Sequence, residues 1–191
     1  MPTTRRTLLA APLLLLNGLP AQASNLTTPL NPPTPWPEVT ASLPQASWSG
    51  SAQLRFLGMS IYQAQLWVGI GFRARDYGQF ALALSLTYQR RVSAQAMAER
   101  SLDEMQRQSP LSAAQQADWL AAMQAVFVDV AANDRLTGVH MPDQGARFWL
   151  NGRRLGEVAD PLFSRRFFGI WLDTTTSQPD LRAALLAAAP A

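Results

Sequence analysis

The sequence predicts an α+β domain in which an antiparallel sheet is covered by helices on one face. Segments of alternating apolar and polar residues come in two groups of three, and a pair of segments with helical apolar spacing follows each group. Strands joined by short turns pair with their neighbours, and helices that come in pairs then gather on one side of the sheet. The 191 residues, 48% of them apolar, suffice for one domain with its own core.

Residues 1–23 are predicted to be an export signal. Arg5 and Arg6 form a basic start, residues 8–19 form an apolar run too short to span a bilayer comfortably, and A-Q-A at residues 21–23 is a small-x-small cleavage site. A retained membrane anchor is the alternative. The segment T-R-R-T-L-L resembles a twin-arginine motif, with the general export route as the other possibility. We expect a periplasmic or otherwise exported protein with no integral membrane span after signal removal.

Charge and cysteine content exclude several classes of protein. All 16 basic residues are arginines, and removal of Arg5 and Arg6 leaves 14 against 13 acidic residues, so no concentrated basic face for nucleic acid is expected. The chain has no cysteine, which excludes disulfides and thiol catalysis. No metal-ligand spacing and no phosphate-binding glycine loop are present, so we predict no metal and no cofactor.

Residues 24–45 are interpreted as a proline-rich lead-in with little packed structure of its own. Trp36 could pin this lead-in to the domain, which we place at residues 46–191. The sheet is expected to begin near residue 47.

The first predicted hairpin turns at Leu57-Gly58, where Gly58 supplies a positive φ. If the loop is two residues long, Arg55 faces Ser60, and Tyr62 lies diagonal to Arg55 on the same face. A three-residue loop would put the two side chains on opposite faces. A guanidinium beside a phenol suits a carboxylate or a polarised carbonyl, and the alternative is an arginine paired with an acid of its own chain.

The third strand, within residues 79–88, has one face of large side chains and one of small side chains. The large face is formed by Leu82, Leu84, Leu86 and Tyr88. The small face, formed by Ala83, Ser85 and Thr87, leaves room for a helix or a ligand.

Two helices follow. Ser93 is expected to cap the first helix, whose charged residues, Glu104 among them, are expected to point outward. The second helix begins with a capping box formed by Ser112 and Gln115.

The second half of the chain returns to strand and then to helix. Asn151-Gly152 indicates a type I′ hairpin, and Asp160-Pro161 indicates a helix start. The helix after it is aromatic enough to form one wall of a core or cavity and carries Phe163, Phe167, Phe168, Ile170 and Trp171. The only histidine, His140, lies in a predicted strand without a nucleophile elbow nearby and is interpreted as structural or surface.

Five segments carry a resemblance to a known family. They are R-F-L-G-M-S-I-Y-Q-A-Q-L-W-V from Arg55, L-T-Y-Q-R-R-V-S from Leu86, D-R-L-T-G-V-H-M-P from Asp134, F-W-L-N-G from Phe148, and D-P-L-F-S-R-R-F-F-G-I-W-L-D from Asp160. In order and spacing the chain resembles the chalcone isomerase-like superfamily, in particular its bacterial exported branch. The resemblance implies an open-faced β-sandwich with a ligand cleft between an antiparallel sheet and its helices.

The resemblance also implies site residues. Plant isomerases of this superfamily hold their substrate with an arginine, aided by threonine, tyrosine, lysine and asparagine, and a sister branch without this activity binds fatty acids through the arginine and a tyrosine. By position Arg55 matches that arginine and Tyr62 matches that tyrosine, with Tyr88, Phe167 and Phe168 as further ligand-binding residues. The isomerases' lysine has no counterpart here, because the chain has no lysine.

These features favour a non-catalytic, exported protein that binds a small apolar carboxylate such as a fatty acid, with no catalytic residue assigned. One alternative is an isomerase or intramolecular lyase acting on an enone by proton transfer. The other is a periplasmic accessory protein that binds no ligand. The sequence names no protein partner.

Overall fold

The computed structural model describes residues 32–189 and has a six-stranded antiparallel sheet in the order β1-β2-β3-β4-β5-β6. The strands are β1 Ser47–Phe56, β2 Met59–Val68, β3 Leu82–Tyr88, β4 Arg135–Met141, β5 Gly145–Leu150 and β6 Arg153–Val158. The helices are α1 Pro37–Ser42, α2 Ala94–Gln108, α3 Ala113–Val126, α4 Pro161–Leu172 and α5 Pro179–Leu185, with a 3-10 segment at Ala74–Gln79. The predicted α+β class is confirmed, whereas the predicted signal, residues 1–23, lies outside the described residues.

Both predicted hairpin turns are confirmed as two-residue turns with positive φ at each position. The φ values are 48° at Leu57 and 76° at Gly58 in the first turn, and 51° at Asn151 and 83° at Gly152 in the second. Such turns match the right-handed twist of the strands they join, so neighbouring strands pair directly.

The predicted helix starts are confirmed as well. The Ser93 side chain accepts a hydrogen bond from the Ala96 amide at the start of α2. Ser112 and Gln115 form the reciprocal capping box of α3. At α4 the Asp160 carboxylate accepts from the amides of the second and third helical residues, at 2.8 and 3.0 Å. Each cap satisfies amides that have no partner within the helix.

Helices α2 to α5 cover one face of the sheet, which we call the inner face. The large side chains of β3 lie on this face and join the main apolar cluster with α4. At the edge of the sheet α5 comes so close to β1 that a Cβ on Gly50 would lie 2.2 Å from the Ala184 carbonyl oxygen. Ser49 beside it donates from Oγ to the Leu185 carbonyl at 2.8 Å. Glycine at position 50 is therefore what allows the helix backbone to contact the strand.

The opposite face, called the outer face, carries α1. The prediction that the lead-in has little packed structure is wrong for this part, since Val39 of α1 is fully buried against Trp67 and Val139. Trp36 packs against the same cluster, as expected. The small side chains of β3 also lie on this face, so the space they leave is taken by α1 rather than by the main helices.

A buried ion pair fastens α1 to β4. Glu38 Oε1 accepts from the Nη2 of Arg135 at 3.0 Å and from the Thr137 hydroxyl at 2.9 Å. The Arg135 guanidinium also lies 3.8 Å from the ring centroid of Trp36. The prediction of a proline-rich lead-in with little packed structure missed this helix, because the stability of the helix comes from contacts with a strand almost 100 residues away in the chain.

Candidate ligand site between the sheet and the fourth helix

Arg55 and Tyr62 lie on opposite faces of the sheet. Arg55 pairs with Ser60 as expected, but the register then shifts by one residue, so that Leu54 pairs with Tyr62 and Ile61 has no partner. Directly paired residues share a face and successive residues alternate, so the bulge leaves Tyr62 on the side of Leu54 and Arg55 on the other side. The expectation that the two side chains point together is therefore wrong, although the loop has the predicted length.

Arg55 is exposed on the outer face. Its Nε donates to the Gln53 side-chain oxygen at 3.3 Å, and Gln53 in turn donates to Gln89 at 2.9 Å. No ion pair of Arg55 is found among the described residues. Arg55 therefore does not face the layer between the sheet and the helices.

Tyr62 faces that layer, together with Tyr88 of the neighbouring strand. The two residues pair across β2 and β3, and their rings meet edge to face at 5.8 Å. The Tyr62 hydroxyl accepts a hydrogen bond from Trp171 Nε1 of α4 at 2.9 Å, and the Tyr88 hydroxyl donates to Met97 Sδ of α2 at 3.0 Å. Both phenols therefore connect strands of the sheet to the helices above it.

Burial keeps both phenols neutral. Loss of water around the side chain raises the pKa of Tyr62 to about 12, with the Trp171 hydrogen bond acting in the opposite direction. Burial also raises the pKa of Tyr88 far above its ordinary value. Neither phenol can act as a general base near neutral pH, whereas both can serve as hydrogen-bonding groups.

Aromatic side chains of α4 fill the layer. The cavity that remains has a volume of about 10 Å³, at the lower limit of the space that one water molecule needs. Phe167 packs on Phe148 and on Trp171 at ring distances of 5.3 and 5.5 Å. The cavity is lined by Leu84, Leu86, Leu136, Gly138, Phe148, Phe167, Phe168 and Trp171. The predicted residues Phe167 and Phe168 thus lie together in this layer and occupy its volume with their own rings.

A polar cluster borders the layer next to Tyr62, and sequence reasoning missed it. Glu104 was expected to point outward, but it is only 5% exposed. Its carboxylate pairs with Arg100, lies 3.6 Å from Arg107 Nε and accepts from the Ser177 hydroxyl at 2.9 Å. The charges of Glu104 and Arg100 both act on the phenol of Tyr62. Arg100, rather than Arg55, is therefore an arginine near the polar end of the layer.

A family model described as chalcone isomerase-like matches residues 72–187, which is more than half of the chain. The chain belongs to the chalcone isomerase-like family. The matched residues begin after the β1–β2 hairpin, so Arg55 and Tyr62 both lie outside them. The family match therefore includes α4 and the strands beneath it from β3 onward, and it does not include the β1–β2 hairpin.

Two further proteins are similar to this chalcone isomerase-like chain. A protein of Haemophilus influenzae described as uncharacterized is 28% identical over 148 residues, which cover 76% of this chain and 71% of that protein. A fatty-acid binding protein of Arabidopsis thaliana superposes with a TM-score of 0.60 at 10% identity, over 74% of this chain and 87% of that one. At such low identity the likeness shows a shared fold.

His140 has a structural environment in this chalcone isomerase-like fold. It is fully buried, with Nδ1 2.6 Å from the Ser164 hydroxyl and Nε2 3.1 Å from the Gly78 carbonyl oxygen. The carbonyl can only accept, so Nε2 carries the proton and Nδ1 accepts from Ser164. Burial lowers the pKa of His140, which keeps the ring neutral.

An open groove of about 380 Å³ lies elsewhere, between the end of α1 and the start of β3. It is lined by Ser42, Leu43, Pro44, Gln45, Gly69, Ile70 and Ala81. No charged side chain lines it, so it offers no partner for an ionic head group. Within residues 32–189 no helix is long and apolar enough to cross a membrane, and no cluster of acidic or histidine side chains could hold a metal ion.

Proposed function

We propose that this protein is an exported, non-catalytic member of the chalcone isomerase-like family that binds a small apolar carboxylate, such as a fatty acid, between the sheet and α4. The observation that carries the proposal is the composition of the layer. Its lining consists of hydrocarbon and aromatic side chains, and a polar cluster with Tyr62 and Glu104 lies at one border. Such a layer suits a ligand with an apolar body and one polar end.

The head group would lie near Tyr62, Trp171 and Arg100. The indole and the phenol already form a hydrogen bond there, and the Arg100 guanidinium is the cation whose charge reaches the phenol. A carboxylate in this place would compete with Glu104 for Arg100. The similarity to a fatty-acid binding protein of the same fold supports this class of ligand.

The absence of a free acid or base in the described layer supports a binding role over catalysis. Tyr62 and Tyr88 are held neutral by burial, and the Glu104 carboxylate is engaged by two arginines and a serine. His140 is engaged on both ring nitrogens. Proton transfer to or from an enone requires a group that is free to exchange its proton.

A ligand can enter only if aromatic side chains of α4 move. The remaining volume of about 10 Å³ holds no fatty acid, so Phe167 and Trp171 would have to turn away from the sheet. This closed packing favours a second candidate, an accessory protein that binds no ligand and acts through its surface. The two functions make opposite predictions for the purified protein.

The first test is native mass spectrometry and lipid extraction of the purified protein, followed by thermal unfolding with and without palmitate. Binding predicts a co-purified fatty acid or a rise in Tm, because a ligand that binds only the folded state stabilises it. The Arg100→Gln variant should lose most of that rise, and the Arg55→Gln variant should keep it. The comparison uses the change in Tm on adding palmitate, since Arg100→Gln also removes a partner of Glu104.

A protein that is empty and does not respond to palmitate would support the accessory role. A rise in Tm that Arg55→Gln abolishes and Arg100→Gln leaves intact would place the head group on the outer face instead. Export is tested separately by cell fractionation and the mass of the recovered chain. We expect a periplasmic protein that begins after Ala23, and a cytoplasmic protein of full mass would contradict export.

A further inference from the structure

The tip of the β1–β2 hairpin carries large apolar side chains in water. Phe56 is 62% exposed, Leu57 is 81% exposed and Met59 is 45% exposed. Only two other large apolar side chains of the described chain are so exposed, and each stands alone. Scattered exposed apolar residues are normal, but three within four positions form a patch that indicates contact with something apolar.

The tip extends beyond the rest of the sheet. The last pair between β2 and β3 joins Tyr62 to Tyr88, followed by one hydrogen bond from the Gln89 amide to the Ile61 carbonyl at 2.9 Å. Residues 56–60 continue past that point without a third strand. Along β2 the turn comes three residues before Ile61 in the chain, so at about 3.3 Å per residue it lies roughly 10 Å beyond Ile61. The apolar patch is therefore the end of a projecting hairpin rather than a groove.

Two arginines flank this tip, and a third follows them in the chain. Arg55 directly precedes Phe56, and Arg90 Nη1 lies 2.9 Å from Met59 Sδ, with Arg91 next in the chain. All three side chains are exposed, and none forms an ion pair within residues 32–189. The Asp129 carboxylate accepts a hydrogen bond from the Ala94 amide at the start of α2, at 3.0 Å, and forms no ion pair with these arginines. The cations at the tip are therefore available to external anions.

We propose that the hairpin tip docks on an anionic lipid surface, with Phe56, Leu57 and Met59 in the acyl region and Arg55, Arg90 and Arg91 on the head-group phosphates. A projecting apolar end with cations behind it matches the order of layers in a bilayer, where charged head groups lie outside the hydrocarbon. An acidic protein partner would need a concave, apolar receptor for the tip. The proposal does not depend on the ligand proposed above.

The absence of native cysteine allows a sharp test. Leu57→Cys is labelled with an environment-sensitive fluorophore in the full chain, and Ile70→Cys, at another exposed apolar residue, is the matched control. Vesicles of phosphatidylglycerol and phosphatidylethanolamine should raise the emission intensity of the label at position 57 several-fold and shift its maximum to shorter wavelength. The emission of the label at position 70 should stay unchanged. Both variants share the same N-terminal residues, so any lipid binding by the predicted signal affects them equally.

The arginine contribution is tested in the same labelled chain. Replacement of Arg55, Arg90 and Arg91 by Gln should weaken partitioning at least about tenfold, because each arginine near an anionic surface contributes to attraction. The control replaces Arg147, Arg153 and Arg154 by Gln. This is an equal change of charge on β5 and β6, at the opposite edge of the sheet from the hairpin. High salt should weaken docking of the unchanged tip.

Several results would overturn the proposal. No change at position 57, or equal changes at positions 57 and 70, would remove the tip as the docking element. Equal responses to phosphatidylcholine and to anionic vesicles, or equal losses from the two triple variants, would remove the role of the arginines. A blue shift that depends on protein concentration without vesicles would assign the tip to contact with a second copy of the chain.

Discussion

At the scale of single residues, one extra residue in β2 decides which side chains meet. The Leu57-Gly58 turn was predictable because local sequence determines where a positive φ is tolerated. The bulge at Ile61 has no such local signal, since a β-branched residue normally continues a regular strand. The prediction that Arg55 and Tyr62 lie on the same face is wrong for this reason, although the hairpin lies where it was predicted.

Glu104 shows the converse case. A charged residue on a helix is normally exposed, so the sequence around Glu104 gave no reason to bury it. In the folded chain Arg100, Arg107 and Ser177 satisfy its carboxylate, and burial becomes possible. Two of these partners lie on the same helix, but Ser177 comes from a turn far along the chain, which sequence spacing alone does not indicate.

The buried histidine should make the protein less stable in mild acid. Burial lowers the pKa of His140 in the folded state, whereas the unfolded chain binds a proton at about pH 6.5. The stabilisation is therefore complete above that pH and is lost as the pH falls below it, with a slope of up to about 1.4 kcal/mol per pH unit. Urea unfolding between pH 7.5 and pH 5 measures this slope.

His140 is the only histidine, so the matched variant is His140→Gln. We expect this variant to be less stable at pH 7.5 but to show a flatter pH dependence over the same interval. The hydrogen-bonded carboxylate of Asp134, whose pKa is also lowered, acts only in stronger acid, below about pH 4. An equal slope in the two proteins would mean that His140 is not the group responsible.

At the scale of secondary structure, the elements with local signals were predictable and α1 was not. Ser93, Ser112 and Asp160 mark helix starts through their own side chains. Helix α1 is only six residues long and has no side-chain cap, so its own sequence cannot hold it in a helix. Its stability comes from Val39 and Glu38 packing on the outer face.

The buried ion pair of α1 should be strongly coupled. The Glu38 side chain is 2% exposed and the Arg135 side chain is 15% exposed, at 3.0 Å. Removal of either partner leaves a buried charge without its counterion, which we expect to lower the free energy of unfolding by about 3 kcal/mol. Glu38→Ala, Arg135→Ala and the double variant, measured by urea unfolding, should show that the two losses are far from additive.

The exposed pair of Arg147 and Glu157 is the matched control. It is separated by 3.7 Å, with side chains 35% and 50% exposed, so its coupling should be below about 1 kcal/mol. Comparable coupling in the two pairs would contradict the idea that α1 is held through a desolvated charge pair.

At the scale of the whole molecule, the two ends of the described chain cover opposite faces of one sheet. Helix α1 lies on the outer face against β4, and α5 lies on the inner face against β1. All strand neighbours follow chain order, and these terminal helices add contacts that span about 100 residues or more of the chain. Loss of either helix should therefore reduce the stability of the entire domain rather than of one edge.

Leu185→Ala tests this expectation for α5. Leu185 is fully buried, and a Leu-to-Ala replacement at such a site costs about 2–5 kcal/mol because a cavity remains. A single unfolding transition at lower urea concentration, seen alike by circular dichroism and by fluorescence, would show that the whole domain responds.

Ala183→Ser, at an exposed position of the same helix, should leave the transition nearly unchanged. A separate early transition in Leu185→Ala, with the main one unshifted, would mean that α5 unfolds independently of the sheet.

The antiparallel sheet, the helix pairs and the faces of β3 could be predicted because the period of the apolar residues and the order of the elements indicate them. Whether the layer above the sheet is open or filled could not. That outcome depends on the rotamers of Phe167, Phe168 and Trp171, and the same aromatic pattern fits a wall around a cavity or a solid core. The prediction that these rings form one wall of a core or cavity is confirmed, but the sequence did not indicate whether they fill the space or leave a cavity.

The hydrogen bond between Trp171 and Tyr62 should make the indole fluorescence sensitive to any separation of α4 from the sheet. Any guest that separates the two layers must break the 2.9 Å indole–phenol bond and change the polarity around the indole. The difference in emission between the unaltered chain and Trp171→Phe would isolate this signal from the other five tryptophans. Uptake could then be followed in real time without a dye or a modified lipid.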